Sequence, residues 1–285
     1  MFTYIKQQPA GMNIKAMCIA YGVSPSGYYA WRDRQPSHRQ CENYRLADKI
    51  KQIHQKSHGI YGSPRITAVL RRQGLTISEN RVARVMQAYS IVGRVHQRKP
   101  RAPCGFDAVM RTRNRRLTAP EPTGINQVWV GDVTYIRFQK RWWYLAVVMD
   151  IYSRKVIGWA LDTHRRQALT AQALRRALQH RRPEPSMLFH SDRGVEYAGG
   201  EYRQLLTDNQ IEPSMNRPGH CTDNAHMESF FHSLKGEWIR ETEYATVKLL
   251  KQAIRNYIVH FYNRTRLHSS LNYHSPDEFE RTAIL

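Results

Sequence analysis

Cysteine is scarce in this chain and never paired: Cys18, Cys41, Cys104 and Cys221 are scattered over 285 residues with no Cys-x-x-Cys among them. A disulfide framework is not expected at this length, and a zinc site built on paired thiolates has no basis. His54 and His58 have the four-residue spacing of a helical turn, but without a cysteine pair downstream they read as solvated or capping histidines. Long apolar runs are also missing. No stretch reaches the roughly 20 residues that cross a bilayer, and no isolated basic amphipathic tail is present. The first residues, Met-Phe-Thr-Tyr-Ile-Lys, lack the charged-then-apolar order of a secretory leader. The expectation is a reduced, cytoplasmic bacterial protein that makes no membrane contact.

Acidic residues are few in the first 125 positions, 6 against 22 Lys and Arg, so +16 of the chain's +21 sits there. An imbalance of that size implies a polyanionic partner, and double-stranded DNA in the nucleoid is the expected one. Residues 1–37 contain a short helix from Asn13, a turn at Gly22-Val23-Ser24 and a second helix opened by Pro25, with Ser24 as its cap. This is helix-turn-helix-like, although any small helical pair would read alike. Residues 38–96 offer a better case. A helix over 41–57 buries Leu46, Ile50 and Ile53, and a turn through Gly59 and Gly62 leads to Ser63 as cap and Pro64. That helix stops at Gly74, and a basic helix runs from Ser78 to Tyr89. Arg65, Arg71, Arg72, Arg81 and Arg84 are expected to contact DNA, alongside Arg94, Arg98, Lys99 and Arg101. Residues 97–125, with Pro100, Pro103, Pro120 and Pro122 around Arg111, Arg113, Arg115 and Arg116, read as an extended basic linker able to track a phosphate backbone.

From residue 126 to 285 the pattern changes to α/β. Gln127–Phe138, Trp142–Asp150 and Lys155–Leu161 are rich in Val, Ile, Trp and Tyr with tight polar breaks, which predicts three consecutive antiparallel strands. A helix over 166–179, a short strand over 187–190 and a helix over 200–209 follow. No internal repeat is evident. After Asn224 a helix buries Met227, Phe230, Phe231, Leu234 and Trp238 on one face and turns Glu228, His232 and Lys235 to the other. Asp132 and Asp192 fall on or beside strands among apolar residues, where an unpaired carboxylate is costly. With no thiol ligands available, oxygen ligation points to Mg²⁺, with Mn²⁺ as substitute. Two such ions would clamp an in-line phosphoryl displacement, with Asp132 bridging them and Asp192 and Glu228 each holding one. Lys235, seven residues past Glu228, would meet a phosphate as a point charge. These residues describe a metal-dependent polynucleotidyl transferase.

The motifs Trp-Val-Gly-Asp-Val-Thr-Tyr, His-Ser-Asp-Arg-Gly and Cys-Thr-Asp-Asn-Ala-His-Met-Glu-Ser-Phe-Phe-His-Ser-Leu-Lys, with the closing Tyr262-Asn263-Arg264-Thr265-Arg266-Leu267-His268, resemble the OrfB-type transposases of copy-and-paste bacterial insertion sequences. Those belong to the DDE transposase and retroviral-integrase superfamily. The resemblance spans essentially the whole chain. It implies a ribonuclease H-like core with a mixed five-stranded sheet, flanking helices and a C-terminal helical extension. It further implies cleavage at element ends to free a 3′-hydroxyl and strand transfer by that hydroxyl. The partners it implies are element ends, target DNA, further copies of the chain on DNA, and an upstream-frame product joined by frameshift fusion or association. No leucine heptad is present to supply multimerisation. Glu196 stands where the family has glutamine, which would add a stray carboxylate near the ions. Two competing readings are a structure-specific nuclease of the same fold and a catalytically silent, sequence-specific DNA-binding regulator; the triad with Lys235 argues against the regulator.

Overall fold

The computed structural model describes residues 1–9, 11–94, 112–217, 221–239 and 243–283. Arg98, Lys99, Arg101, Cys104 and Arg111 lie outside them. Helices α1 (Phe2–Lys6), α2 (Ile14–Ala20) and α3 (Pro25–Arg32) form a small cluster around Ile5, Cys18 and Tyr28. Asn13 and Ser24 cap α2 and α3 by accepting from the amides of Ala16 and Gly27. The first helix is not legible in the sequence; its five residues are too few to show a period.

Helices α4 (His38–Lys56), α5 (Ser63–Arg72) and α6 (Glu79–Ala88) follow. Ser37 and Gln40 close a reciprocal capping box at the start of α4, and Ser78 caps α6 through the Arg81 amide. At α5 the expected cap is displaced by one. Gly62 occupies that position, Ser63 is already helical, and its hydroxyl reaches Glu79 instead. Gly74, at φ +84°, lies just past the end of α5 in the left-handed conformation that glycine adopts without steric cost.

The α/β part contains strands β1 (Val128–Phe138), β2 (Arg141–Asp150) and β3 (Val156–Asp162), helix α7 (Gln167–His180), β4 (Leu188–Ser191), α8 (Gly200–Asp208) and β5 (Glu212–Met215). The strands form one mixed sheet in the order β3-β2-β1-β4-β5, with β1, β2 and β3 antiparallel and β1, β4 and β5 parallel. Alternating side chains separate its faces as a two-residue period requires. Trp129, Ala146, Val148 and Ile157 pack under α7 and α8, while Val128, Val130, Leu145 and Val147 face the other way.

Helix α9 (Ala225–Leu234), continued by a π-helical turn (Lys235–Ile239), lies on that second face with α10 (Val247–Arg255) and its π-helical extension (Asn256–Tyr262), and α11 (Pro276–Ala283) closes the described chain. The N-terminal helices α4–α6 share this core. Polar ties join them to the C-terminal segment: the Tyr61 hydroxyl donates to the Thr265 carbonyl at 2.9 Å and accepts from the Leu267 amide at 3.0 Å. No described helix is long and apolar enough to cross a membrane.

Residues 112–125 do not hang free as an extended linker. A 3-10 turn at Arg115–Leu117 lies along β5, with the Arg115 and Arg116 amides donating to the Ser214 hydroxyl at 3.0 and 3.3 Å.

Candidate active site

Register brings the two aspartates together. Val130 on β1 pairs in parallel with His190 on β4, so Asp132, two residues further along β1, lies beside Asp192, the first residue past the end of β4. The residue before Asp132 must be small: a Cβ on Gly131 would lie 2.7 Å from the Phe189 ring. Asp132 accepts from the Val133 amide at 2.7 Å, and Asp192 from the Gly194 amide at 3.0 Å. Burial, and then the charge of Asp192, push Asp132 up to about 8 against the local pull of that amide. Asp192 is raised as well, first by burial and then by Glu196. Asp132 therefore keeps its proton near neutral pH, so the two carboxyls do not both ionise.

Glu196 is not a stray carboxylate. Its side chain is fully buried, and Arg165 grips one oxygen with Nε at 2.8 Å and Nη2 at 2.7 Å. The same guanidinium comes within 3.9 Å of Asp192. Arg165 is therefore the cation of this site, and it was missed in the sequence because it precedes a helix with no motif of its own. Replacing Glu196 by glutamine removes one negative charge and leaves Arg165 to the aspartates. Both effects favour ionised carboxylates, so Glu196→Gln should lower the titration midpoints of Asp132 and Asp192, read from their carboxyl ¹³C signals in metal-free protein. Unchanged or higher midpoints would remove Glu196 from the electrostatics of the site.

Glu228 reaches this edge on α9. The Asn224 side-chain amide donates to the Gly131 carbonyl at 3.0 Å, and Lys235 Nζ sits 4.5 Å above the centre of the Tyr135 ring. These two anchors run α9 alongside β1. Four helical residues from Asn224 rise about 6 Å and two strand residues from Gly131 about 7 Å, so Glu228 starts within about one strand residue of Asp132. It is half-buried in the first turn of α9, while Met227, Phe230, Phe231 and Leu234 are buried, as the helical period required. Among the described residues no three His, Cys, Asp or Glu side chains converge as a preformed metal cage. The donor chemistry nevertheless fits a hard divalent cation: oxygen only, with two carboxyls raised first by burial, a cost that a cation would relieve.

His190, in the same motif, is a structural residue. It is buried, bridges the Ser214 hydroxyl at 2.9 Å and Asn216 Oδ1 at 2.7 Å, and is held below its usual pKa by burial. It ties β4 to the chain on either side of Met215. His54 and His58 are likewise engaged, His54 with the Val92 carbonyl at 3.1 Å and His58 edge-on to Trp238 and Phe261.

The arginines singled out for DNA are largely engaged with protein. Arg65 donates to the Leu267 carbonyl at 2.9 Å, and Arg72 to the Tyr273 carbonyl at 2.7 Å and to Glu278 at 3.2 Å. Arg81 holds Glu42 and Asn43, Arg71 the Ile77 carbonyl, and Arg84 the Asn80 carbonyl. Arg115 pairs with Glu212 and Arg116 with Glu121, while the Arg113 carbonyl accepts from the Met215 amide. Those whose guanidinium groups stay exposed keep a surface role available; Arg65 and Arg72 join the helical region to the C-terminal segment.

A mixed sheet of this strand order, with one aspartate on β1, another just past the end of its parallel neighbour β4, and a glutamate helix alongside, defines an integrase-type polynucleotidyl transferase. Residues 122–221 and 209–276 each match a family described as Integrase core domain, and residues 42–99 match an HTH-like domain. An uncharacterised 31 kDa protein of insertion element IS600 from Shigella sonnei is 36% identical over 270 residues, covering 92% of this chain and 97% of that one. Transposase InsF of insertion sequence IS3A from Escherichia coli is 34% identical over 283 residues, 98% of each chain. The chain belongs to this family of insertion-sequence transposases. Among solved structures, the simian T-cell lymphotropic virus intasome in complex with PP2A regulatory subunit B56 gamma aligns over 81% of this chain and 74% of that one, at 15% identity and a TM-score of 0.48.

Proposed function

We propose that this transposase cuts DNA at the ends of its insertion sequence to free a 3′-hydroxyl, then joins that hydroxyl to target DNA. The observation that carries the reading is the Asp132–Asp192 pair, one carboxyl on β1 and the other just past the end of its parallel neighbour β4, with Asp132 raised to about 8. Asp132, Asp192 and Glu228 would hold two Mg²⁺ ions, or Mn²⁺ in their place. When bound, these supply Lewis acidity and charge neutralisation for an in-line displacement. Asp132 must lose its proton to act as a ligand, and the Arg165–Glu196 pair places positive charge beside Asp192. Lys235 contributes positive charge to the DNA beyond the carboxylates. In this reading residues 1–37 and 38–96 recognise DNA, 97–125 connects them to a core over 126–285, and the active form is an oligomer on DNA, fused to or associated with an upstream-frame product, in the bacterial nucleoid.

Labelled duplexes carrying the element's ends, incubated with Mg²⁺ or Mn²⁺ against EDTA, test the reading. Metal-dependent joined products are expected, and cleavage without joining in the presence of the upstream product would point to a nuclease instead. A second expectation follows from the +16 of the first 125 residues. If some 6–10 phosphates are contacted, DNA affinity should fall by about 10³- to 10⁵-fold between about 50 and 200 mM salt. A nearly flat dependence in a filter-binding or anisotropy titration would exclude an extensive phosphate interface.

A further inference from the structure

The far half of the β1–β2 hairpin carries large aromatic side chains in the open. Tyr135 is 59% and Trp142 47% exposed, although both are strand residues with ample apolar area. They lie diagonally across the ladder, since Arg137 is the register partner of Trp142 and Tyr144 that of Tyr135. Their rings meet edge to face at 5.2 Å. Each ring also holds a cation: Lys235 Nζ is 4.5 Å from the Tyr135 centroid, and the Arg137 guanidinium 5.6 Å from that of Trp142. These residues line a cleft of ≈ 620 Å³ whose one acidic member among the described residues is Glu243.

We infer that this cleft is a stacking site for the base of an unpaired nucleotide next to the reacting phosphate. The inference rests on the strand-transfer reading of the carboxylates. A nucleotide joins a flat π surface to a negative phosphate, and the cleft offers flat rings with two cations against one carboxylate; base–aromatic and base–guanidinium stacking is how proteins hold unpaired DNA without reading its sequence. Tyr135 is three strand residues from Asp132, about 10 Å at roughly 3.3 Å per residue, so its side chain turns to the other face of β1, where Lys235, from the turn that follows α9, reaches its ring. Lys235 is seven helical residues from Glu228, also about 10 Å. The lysine and the two rings therefore form one surface set back from the carboxylates, which holds the flanking nucleotides and not the reacting phosphate.

The test uses the full chain in EDTA, so that stacking is read without reaction. The probe is a duplex carrying a short unpaired tail with 2-aminopurine, compared with the same duplex blunt-ended. Quenching of the tail fluorophore is expected with the unmodified chain and with Tyr135→Phe, and its loss with Tyr135→Ala and Trp142→Ala. Each alanine variant should weaken tailed DNA by about 5- to 100-fold relative to blunt DNA. Both positions are exposed, so matching melting curves identify folded variants, and Trp142→Ala alone decides the matter if the other fails. Quenching that persists in both alanine variants, or equal loss for blunt and tailed DNA, would overturn the proposal. So would alanine variants that change only self-association, because the face would then be a protein interface. Strand transfer by the unmodified chain is scored separately, so failure of the transposase reading remains distinguishable from failure of the stacking site.

Discussion

Asp132→Asn is expected to lower 3′-end cleavage and strand transfer by about 10³-fold or more, and at the same time to remove a pH-dependent instability from the metal-free protein. The first effect amounts to about 4 kcal/mol of lost transition-state stabilisation, at roughly 1.4 kcal/mol per decade. That is a reasonable size for deleting a charged ligand from a site whose chemistry is in-line displacement between cations. The second effect follows from the raised carboxyl. In the folded chain Asp132 titrates near 8 because it is buried and faces Asp192, against 3.8 for an ordinary aspartate. Below about pH 4 folded and unfolded chains both hold the proton, and the group's contribution to stability is fully present. As pH rises toward 8 the unfolded chain has lost its proton while the folded one retains it, so that contribution declines and is gone once the folded carboxyl ionises. Asparagine cannot titrate. The difference in unfolding midpoint between variant and parent, in EDTA, should therefore grow in the variant's favour from pH 5 to 8. An inactive variant with no such pH-dependent gain would mean the aspartate pair is not held as the register implies. An active variant would remove Asp132 from the chemistry.

Most of the architecture around this site was legible because its strands and helices carry strong periods. The three long strands, α7, α8 and the buried stripe Met227, Phe230, Phe231, Leu234 all stand within a residue or two of their expected bounds. The fifth strand came only from the family resemblance. It is four residues long, contains Pro213 and lies at the sheet edge, where proline costs no ladder bond but also leaves no strand-like pattern to read. Arginine roles were the least legible. Arg65 and Arg72 look like any basic helical face in sequence, and only the return of the chain at Leu267 and Tyr273, some 200 residues later, gives them carbonyls to bind. Glu196 shows the same limit. Sequence alone marks it as an unusual carboxylate, and its guanidinium partner at Arg165 is apparent only once α7 packs against the sheet.

The largest stability loss is expected at the Arg266 of the Tyr-Asn-Arg-Thr-Arg motif. Arg266 and Glu237 are 5% and 8% exposed and form a two-pronged ion pair, Nη2 to Oε1 at 2.5 Å and Nε to Oε2 at 2.8 Å. The Tyr257 hydroxyl donates to the same Oε2 at 2.9 Å, and Arg266 Nη2 also reaches the Ser233 hydroxyl at 3.1 Å. A buried pair contributes little net stability over well-packed apolar residues, but deleting one partner leaves the other charge uncompensated, which costs about 3–5 kcal/mol. Arg266→Ala should therefore lower the unfolding free energy by that much, read as a lower urea midpoint at unchanged slope, whereas Arg266→Met combined with Glu237→Leu should recover most of the loss. If the double variant is as unstable as the single one, packing at Tyr257 and Tyr262 is the main term and not the bare carboxylate. The same substitution has a second, smaller consequence for activity. Ser233 lies on α9 and Glu237 in the π-helical turn directly after Lys235, so this cluster fixes the far end of the helix whose first turn carries Glu228. Asn224 fixes the near end through Gly131. Under conditions where Arg266→Ala is still folded, strand transfer should fall further than the folded fraction does, and the double variant should restore stability ahead of activity, because apolar replacements repack the core without restoring the bond to Ser233.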